Sequence, residues 1–143
     1  MRRIATHDDI AEGIEALLRI DPRLAPVAAA AGEVPLRLSE PGFASLAGIV
    51  VAQQVSRASA DAMAARLDAL IGPLDAAAVL AAGEDALRAA GLSRAKQATL
   101  LAIARAVVDD GLDLRDLAAQ DAAAAIARLT ALRGIGPWTA EVY

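Results

Sequence analysis

The chain has 143 residues, a length that suits one compact domain, or one and a half, and that can bury a real core. Apolar residues make up 57% and aromatics only 2%, so alanine supplies much of the apolar share. Val, Ile, Phe and Tyr are too sparse for several strands, and an all-α protein is expected. The absence of cysteine excludes disulfides, thiolate metal sites and cysteine nucleophiles, and a net charge of −4 argues against a broad basic face for nucleic acid.

The start, "MRRIATHDDIAEG", lacks the apolar core of a signal peptide, and no apolar run approaches the ~20 residues of a membrane span; a cytoplasmic protein with no membrane partner is expected. Thr6 can cap a first helix whose Ile10, Ile14, Leu17 and Leu18 form one stripe. "DPRLAPVAAAAG" restarts a short helix with Pro22 in its first turn and Gly32 as its stop. "EVPLRLSEPG" then reads as an extended connector and a boundary, giving residues 1–38 as helices of a second lobe and 39–143 as a helical bundle.

Phe43, Leu46, Ile49 and Val50 predict an apolar helix face that ends at "AQQVS". Ser56 can cap the next helix, with Met63, Leu67, Leu70 and Ile71 repeating the spacing until "GP" breaks it. "LDAAAVLAAGEDALRAAG" reads as two short helices divided at Gly83 and closed by Gly91. Ser93 precedes a longer helix carrying Leu100, Ala104, Val107 and Val108. "DDGLDLRDLAAQ" reads as a loop between helices, after which Asp121 starts a helix bearing Ile126 and Leu129. That helix runs to about Leu132, and Pro137 suits the first turn of another. The sequence stops within about two turns of Pro137, as if cut in mid-element.

The closing stretch "LRGIGPWTAEVY" therefore reads as helix, double-glycine turn, helix. Gly134 and Gly136 permit close backbone approach, and Ile135 between them can plug the gap between the helices. The second helix would offer unpaired N–H groups and the positive end of its dipole to an anion, so a phosphate could sit there without any lysine. The four residues "GIGP" alone are equally compatible with a plain helix–helix turn.

The flanking residues add a family resemblance. "LRGIGPWTAEVY" resembles the hairpin of the helix–hairpin–helix DNA glycosylase superfamily, with the 3-methyladenine DNA glycosylase II branch nearest. "LAGIVVAQQVSRASADAMAARL" is similar to the family's "QQ-(V/I)-S" segment, and "GLSRAKQATLLAIARAV" to its "G-x-S-x-x-K" helix start. The three matches stand in the family's order over residues 46–143. The resemblance implies a monofunctional DNA N-glycosylase that flips a damaged nucleotide out of the duplex and cleaves the bond between an alkylated purine and its sugar. Double-stranded DNA with a damaged base would be the partner, with no nucleotide cofactor.

Carried over by position, Gly134, Ile135, Gly136, Trp138 and Thr139 would hold the DNA backbone. Gln54, or else Gln53, would fill the space left by the flipped base, with Ser56 beside them. Carbonyls of Thr130, Leu132 and Ile135 would bind a structural Na+ or K+. Trp138 stands where strand-nicking members carry a nucleophilic lysine, and an indole cannot form a Schiff base; it could be a core anchor, a pocket wall or both.

The family's catalytic aspartate would fall beyond Tyr143, so the chain as written is expected to bind and not to cut. Glu141, Asp109, Asp110, Asp113 and Asp116 match no catalytic position and read as solvated charges or caps. Arg57 and Lys96 could touch phosphates or be ordinary surface charges, and His7 reads as a surface residue. The alternative function is a non-catalytic hairpin DNA-binding module; a helical interaction domain unrelated to DNA is a third. An incomplete lobe would leave apolar helix faces exposed, making self-association a further expectation.

Overall fold

A computed structural model describes residues 4–143, the side chain of Ala118 excepted. All regular elements among these residues are helical. The chain divides into two compact units, Met1–Ser39 and Glu40–Tyr143. Among the described residues no helix is long and apolar enough to cross a membrane.

The first unit holds α1 (His7–Ile20), a 3-10 turn (Pro22–Leu24) and α2 (Ala25–Ala31). Thr6 and Asp9 form a capping box: the Thr6 hydroxyl accepts from the Asp9 N–H at 3.2 Å, and the Asp9 carboxylate accepts from the Thr6 N–H at 2.9 Å. Asp21 caps the 3-10 turn by accepting from the Arg23 N–H at 3.1 Å, and Gly32 ends α2. No residue of these helices is buried. Ile10, Ile14 and Leu18 are half-buried and Leu17 is exposed.

The second unit contains α3 (Phe43–Ala52), α4 (Arg57–Ile71), α5 (Ala76–Ala89), α6 (Arg94–Val108), α7 (Leu114–Ala119), α8 (Ala122–Thr130) and α9 (Pro137–Val142). Ser56, Asp75, Ser93, Asp113 and Asp121 each cap the helix they precede with a side-chain oxygen, an arrangement worth ~1 kcal/mol per helix. α5 is broken at Gly83, whose φ of +68° no ordinary helix residue adopts. The core is built around α6, which packs on α3 and α5 through Leu100, Leu101, Ile103 and Ala104. Leu46, Val50, Met63, Leu67, Val79 and Leu87 close around it. Frequent alanine lets the helix axes approach closely.

Three expectations from the sequence need correction. Residues 114–119 are helical, because Asp113 accepts from the Arg115 and Asp116 N–H groups and Leu114 and Leu117 are buried beneath that turn. Leu70 is exposed: the buried row of α4 runs Ala60, Met63, Leu67, and the helical period carries it on to the half-buried Ile71. Val108, the last residue of α6, is also exposed. α8 ends at Thr130, within two residues of the stop expected at about Leu132.

Tyr143 ties three parts of this unit together. Its phenol donates to the Leu114 carbonyl at 2.9 Å and accepts from the Gly42 N–H at 2.8 Å, joining α9 to the starts of α7 and α3. Burial, the largest influence, raises the phenol's pKa above its ordinary 10.0; the Gly42 N–H acts in the opposite direction. A folded-state pKa above the unfolded one gives stability that is complete below pH 10 and lost as pH rises through the folded value. Tyr143→Phe is expected to cost about 1–2 kcal/mol in urea unfolding at neutral pH. The gap between wild type and variant should narrow above pH 10; a constant gap would refute the burial of a neutral phenol.

Candidate nucleic-acid interface

The turn between α8 and α9 is held by two features. The Ile135 N–H donates to the Leu132 carbonyl at 3.1 Å, and the Ile135 side chain is buried in the core. Gly134 has φ +84°, and a Cβ there would overlap the Thr99 hydroxyl, which itself donates to the Ala95 carbonyl at 3.0 Å. The turn thus lies flush on α6, main chain against side chain.

Gly136 differs in every respect. Its φ of −91° and ψ of 173° are open to any residue, and nothing lies within 4 Å of where its Cβ would stand. It is the N-cap of α9 and supplies no side-chain acceptor, so the amides of that first turn have no side-chain cap. Gly134 is required by packing; over Gly136 there is unfilled space.

Of the next residues, Trp138 is 61% exposed and takes no part in the core of the described residues. Thr139 is buried, and its hydroxyl accepts from the Gln53 side-chain amide at 2.8 Å. Its side chain therefore faces into the protein, leaving only its main chain to meet a ligand.

That bond brings the second predicted segment, the loop from α3 to α4, to the hairpin. Gln53 is the C-cap of α3 and half-buried. Gln54 is exposed with φ +55°, the one non-glycine residue with positive φ among those described. The two glutamines are thus separated in role: Gln53 is tied inward and Gln54 stands out into solvent. Ser56 spends its hydroxyl on capping α4, accepting from the Ser59 N–H at 3.2 Å. Lys96 donates from Nζ to the Val51 carbonyl at 2.8 Å, in the last turn of α3 where intrahelical donors run out. Partial burial lowers its pKa. Arg57 pairs with Asp61 on the surface at 3.3 Å.

The expected cation ligands lie where α8 gives way to the turn. The Thr130 hydroxyl bonds back to the Ile126 carbonyl at 2.8 Å, and the Leu132 carbonyl already accepts one N–H. Among the described residues no group of three or more His, Asp or Glu could hold a metal. The acidic residues weighed from the sequence have structural or solvated positions. Asp113 caps α7, and the Asp116 and Arg115 N–H groups hold its carboxyl below the usual range. Asp116 accepts from the Gln120 amide at 2.9 Å, while Asp109, Asp110 and Glu141 are exposed.

No protein-family model and no curated protein matches the chain. Solved structures do. A DNA-3-methyladenine glycosidase from Bacillus halodurans matches with a TM-score of 0.76 at 34% identity, over 90% of this chain and 60% of its own. A 3-methyladenine DNA-glycosylase from Archaeoglobus fulgidus matches at 0.71 and 26% identity, over 92% and 48%. A Schizosaccharomyces pombe 3-methyladenine DNA glycosylase, in complex with abasic DNA, matches at 0.64 and 23%, over 76% and 57%. This is the helix–hairpin–helix DNA glycosylase fold. The chain spans between 48% and 60% of the lengths of these glycosylases.

Within the glycosylase fold, Gly134 and Thr99 are expected to be coupled energetically. Gly134→Ala should destabilise by about 2–4 kcal/mol, combining a left-handed backbone with overpacking. Thr99→Ala in the same chain should recover about 1 kcal/mol of this by removing the hydroxyl and methyl that collide. Strict additivity in urea denaturation would show that the turn does not rest on Thr99.

Proposed function

We propose that this chain is the DNA-gripping portion of a cytoplasmic, monofunctional DNA N-glycosylase that removes alkylated purines of the 3-methyladenine type by base flipping. The observation that carries the reading is the open space over Gly136 at an α9 N-terminus without a side-chain cap, beside an outward-pointing Gln54. A phosphate seated there would be held by main-chain N–H groups and the helix dipole. Such a grip suits a chain of net charge −4, which cannot rely on a field of lysines.

Gln54 would enter the stack as the nucleotide leaves it, and the exposed face of Trp138 would meet the displaced base or its neighbours. Trp138 offers no amine, so the sugar could not be captured as an imine, and the products would be a free base and an abasic site. Cleavage breaks the bond between purine nitrogen and sugar carbon; the positive charge growing on the sugar requires a nearby carboxylate, and water completes the hydrolysis. The family resemblance assigns that role to an aspartate, and none of the acidic residues weighed above matches its position. Neutral carbonyls at Thr130, Leu132 and Ile135 suit a weakly held Na+ or K+, which would stiffen the turn and offset phosphate charge.

Gly136→Ala is the informative variant because its added methyl group meets nothing in the protein. It should leave the thermal midpoint unchanged yet lower affinity for an abasic-site duplex about tenfold, the value of one charge-assisted hydrogen bond. Unchanged affinity would remove the hairpin from the interface. The salt slope should be shallow, corresponding to only a few phosphates at ~0.9 each; a slope demanding about six or more ion contacts would contradict the main-chain grip. The whole protein should release 3-methyladenine and 7-methylguanine from alkylated duplex DNA. Binding to abasic DNA without any release would overturn the substrate assignment.

A further inference from the structure

The two segments proposed to touch DNA are far apart in sequence but mechanically one piece. The Gln53–Thr139 hydrogen bond spans 86 residues and joins the C-cap of α3 to the first turn of α9. Two residues before Gln53, the Lys96 ammonium holds the Val51 carbonyl at 2.8 Å. The root of the loop is therefore pinned from two sides, by α9 and by α6, and immediately beyond it the backbone turns left-handed at Gln54.

We propose that Gln53, Thr139 and Lys96 are positioning residues that fix the register between the phosphate grip at Gly136 and the gap-filling side chain of Gln54. This rests on the reading of the hairpin as a DNA-phosphate site. The physical reason is pre-organisation. Distorted DNA is recognised only if one protein surface holds the backbone while another occupies the gap at a set distance, and ordering a loose loop at that moment would subtract from binding. A bond between side chains of the two segments removes that cost. Nothing else about α3's end calls for a glutamine there, since its own main chain already closes the helix through the Gln53 N–H to the Val50 carbonyl at 3.2 Å.

The test compares a duplex containing a tetrahydrofuran abasic site with the same duplex intact, and reads the ratio of the two affinities. Thr139→Val keeps the side chain's shape and removes its hydroxyl, while Gln53→Ala removes the other partner. Each should lower the ratio about fivefold, the value of one hydrogen bond, and the double variant should lower it no further. Thr139→Ser should restore it. Lys96→Met should lower the ratio with the salt slope unchanged, because its charge faces a carbonyl and not a phosphate. A ratio unmoved in Thr139→Val and Gln53→Ala, or additive losses in the double variant, would overturn the coupling while leaving the hairpin reading intact. No preference for the abasic duplex in the wild-type chain would remove both.

Discussion

Where the turn after α8 meets α6, the main chain of Gly134 lies so close to Thr99 that no side chain fits between them. The placement of the candidate interface on the α9 side follows from that contact. With the turn seated, Ile135 drops into the core, α9 starts at a fixed place, and Thr139 faces inward where Gln53 can reach it. The glycine two residues on is then left over empty space. One glycine serves the protein's own packing and the other leaves room beyond it.

The electrostatic character of the molecule agrees with this arrangement. Lys96 and Arg57 are occupied by a carbonyl and a carboxylate within the protein, whereas Arg133, in the hairpin itself, is exposed. Asp113 caps a helix, Asp116 bonds to a side-chain amide, and Asp109, Asp110 and Glu141 face water. Besides Arg133, what is offered to an anion is the dipole of a helix start and its amides, which are directional and unaffected by pH in the range where side chains titrate.

Much of the fold was legible because its signals are local. Thr6, Ser56, Ser93 and Asp121 announce helix starts by their own hydrogen-bonding chemistry, and the apolar repeats of α3, α4 and α6 mark which faces turn inward. α7 is not legible in the sequence because six residues with two buried leucines are too few to display a helical period. The hairpin could be read from its glycines and proline, yet their separate duties could not, since the difference lies in Thr99, a residue on another helix. For the same reason the bonds from Gln53 to Thr139 and from Tyr143 to Gly42 were invisible: they join residues 86 and 101 positions apart, and nothing in the spacing of polar residues marks such partners. Trp138 was ambiguous between interior and surface until its exposure was known.

The chain contains one tryptophan, and that residue sits in the first turn of α9 with most of its ring in water. Its emission therefore originates from a single point at the rim of the double-glycine bend. Any quenching or blue shift of this chain on adding a nucleic acid would report on that locus, so the chain carries its own optical label at the proposed contact.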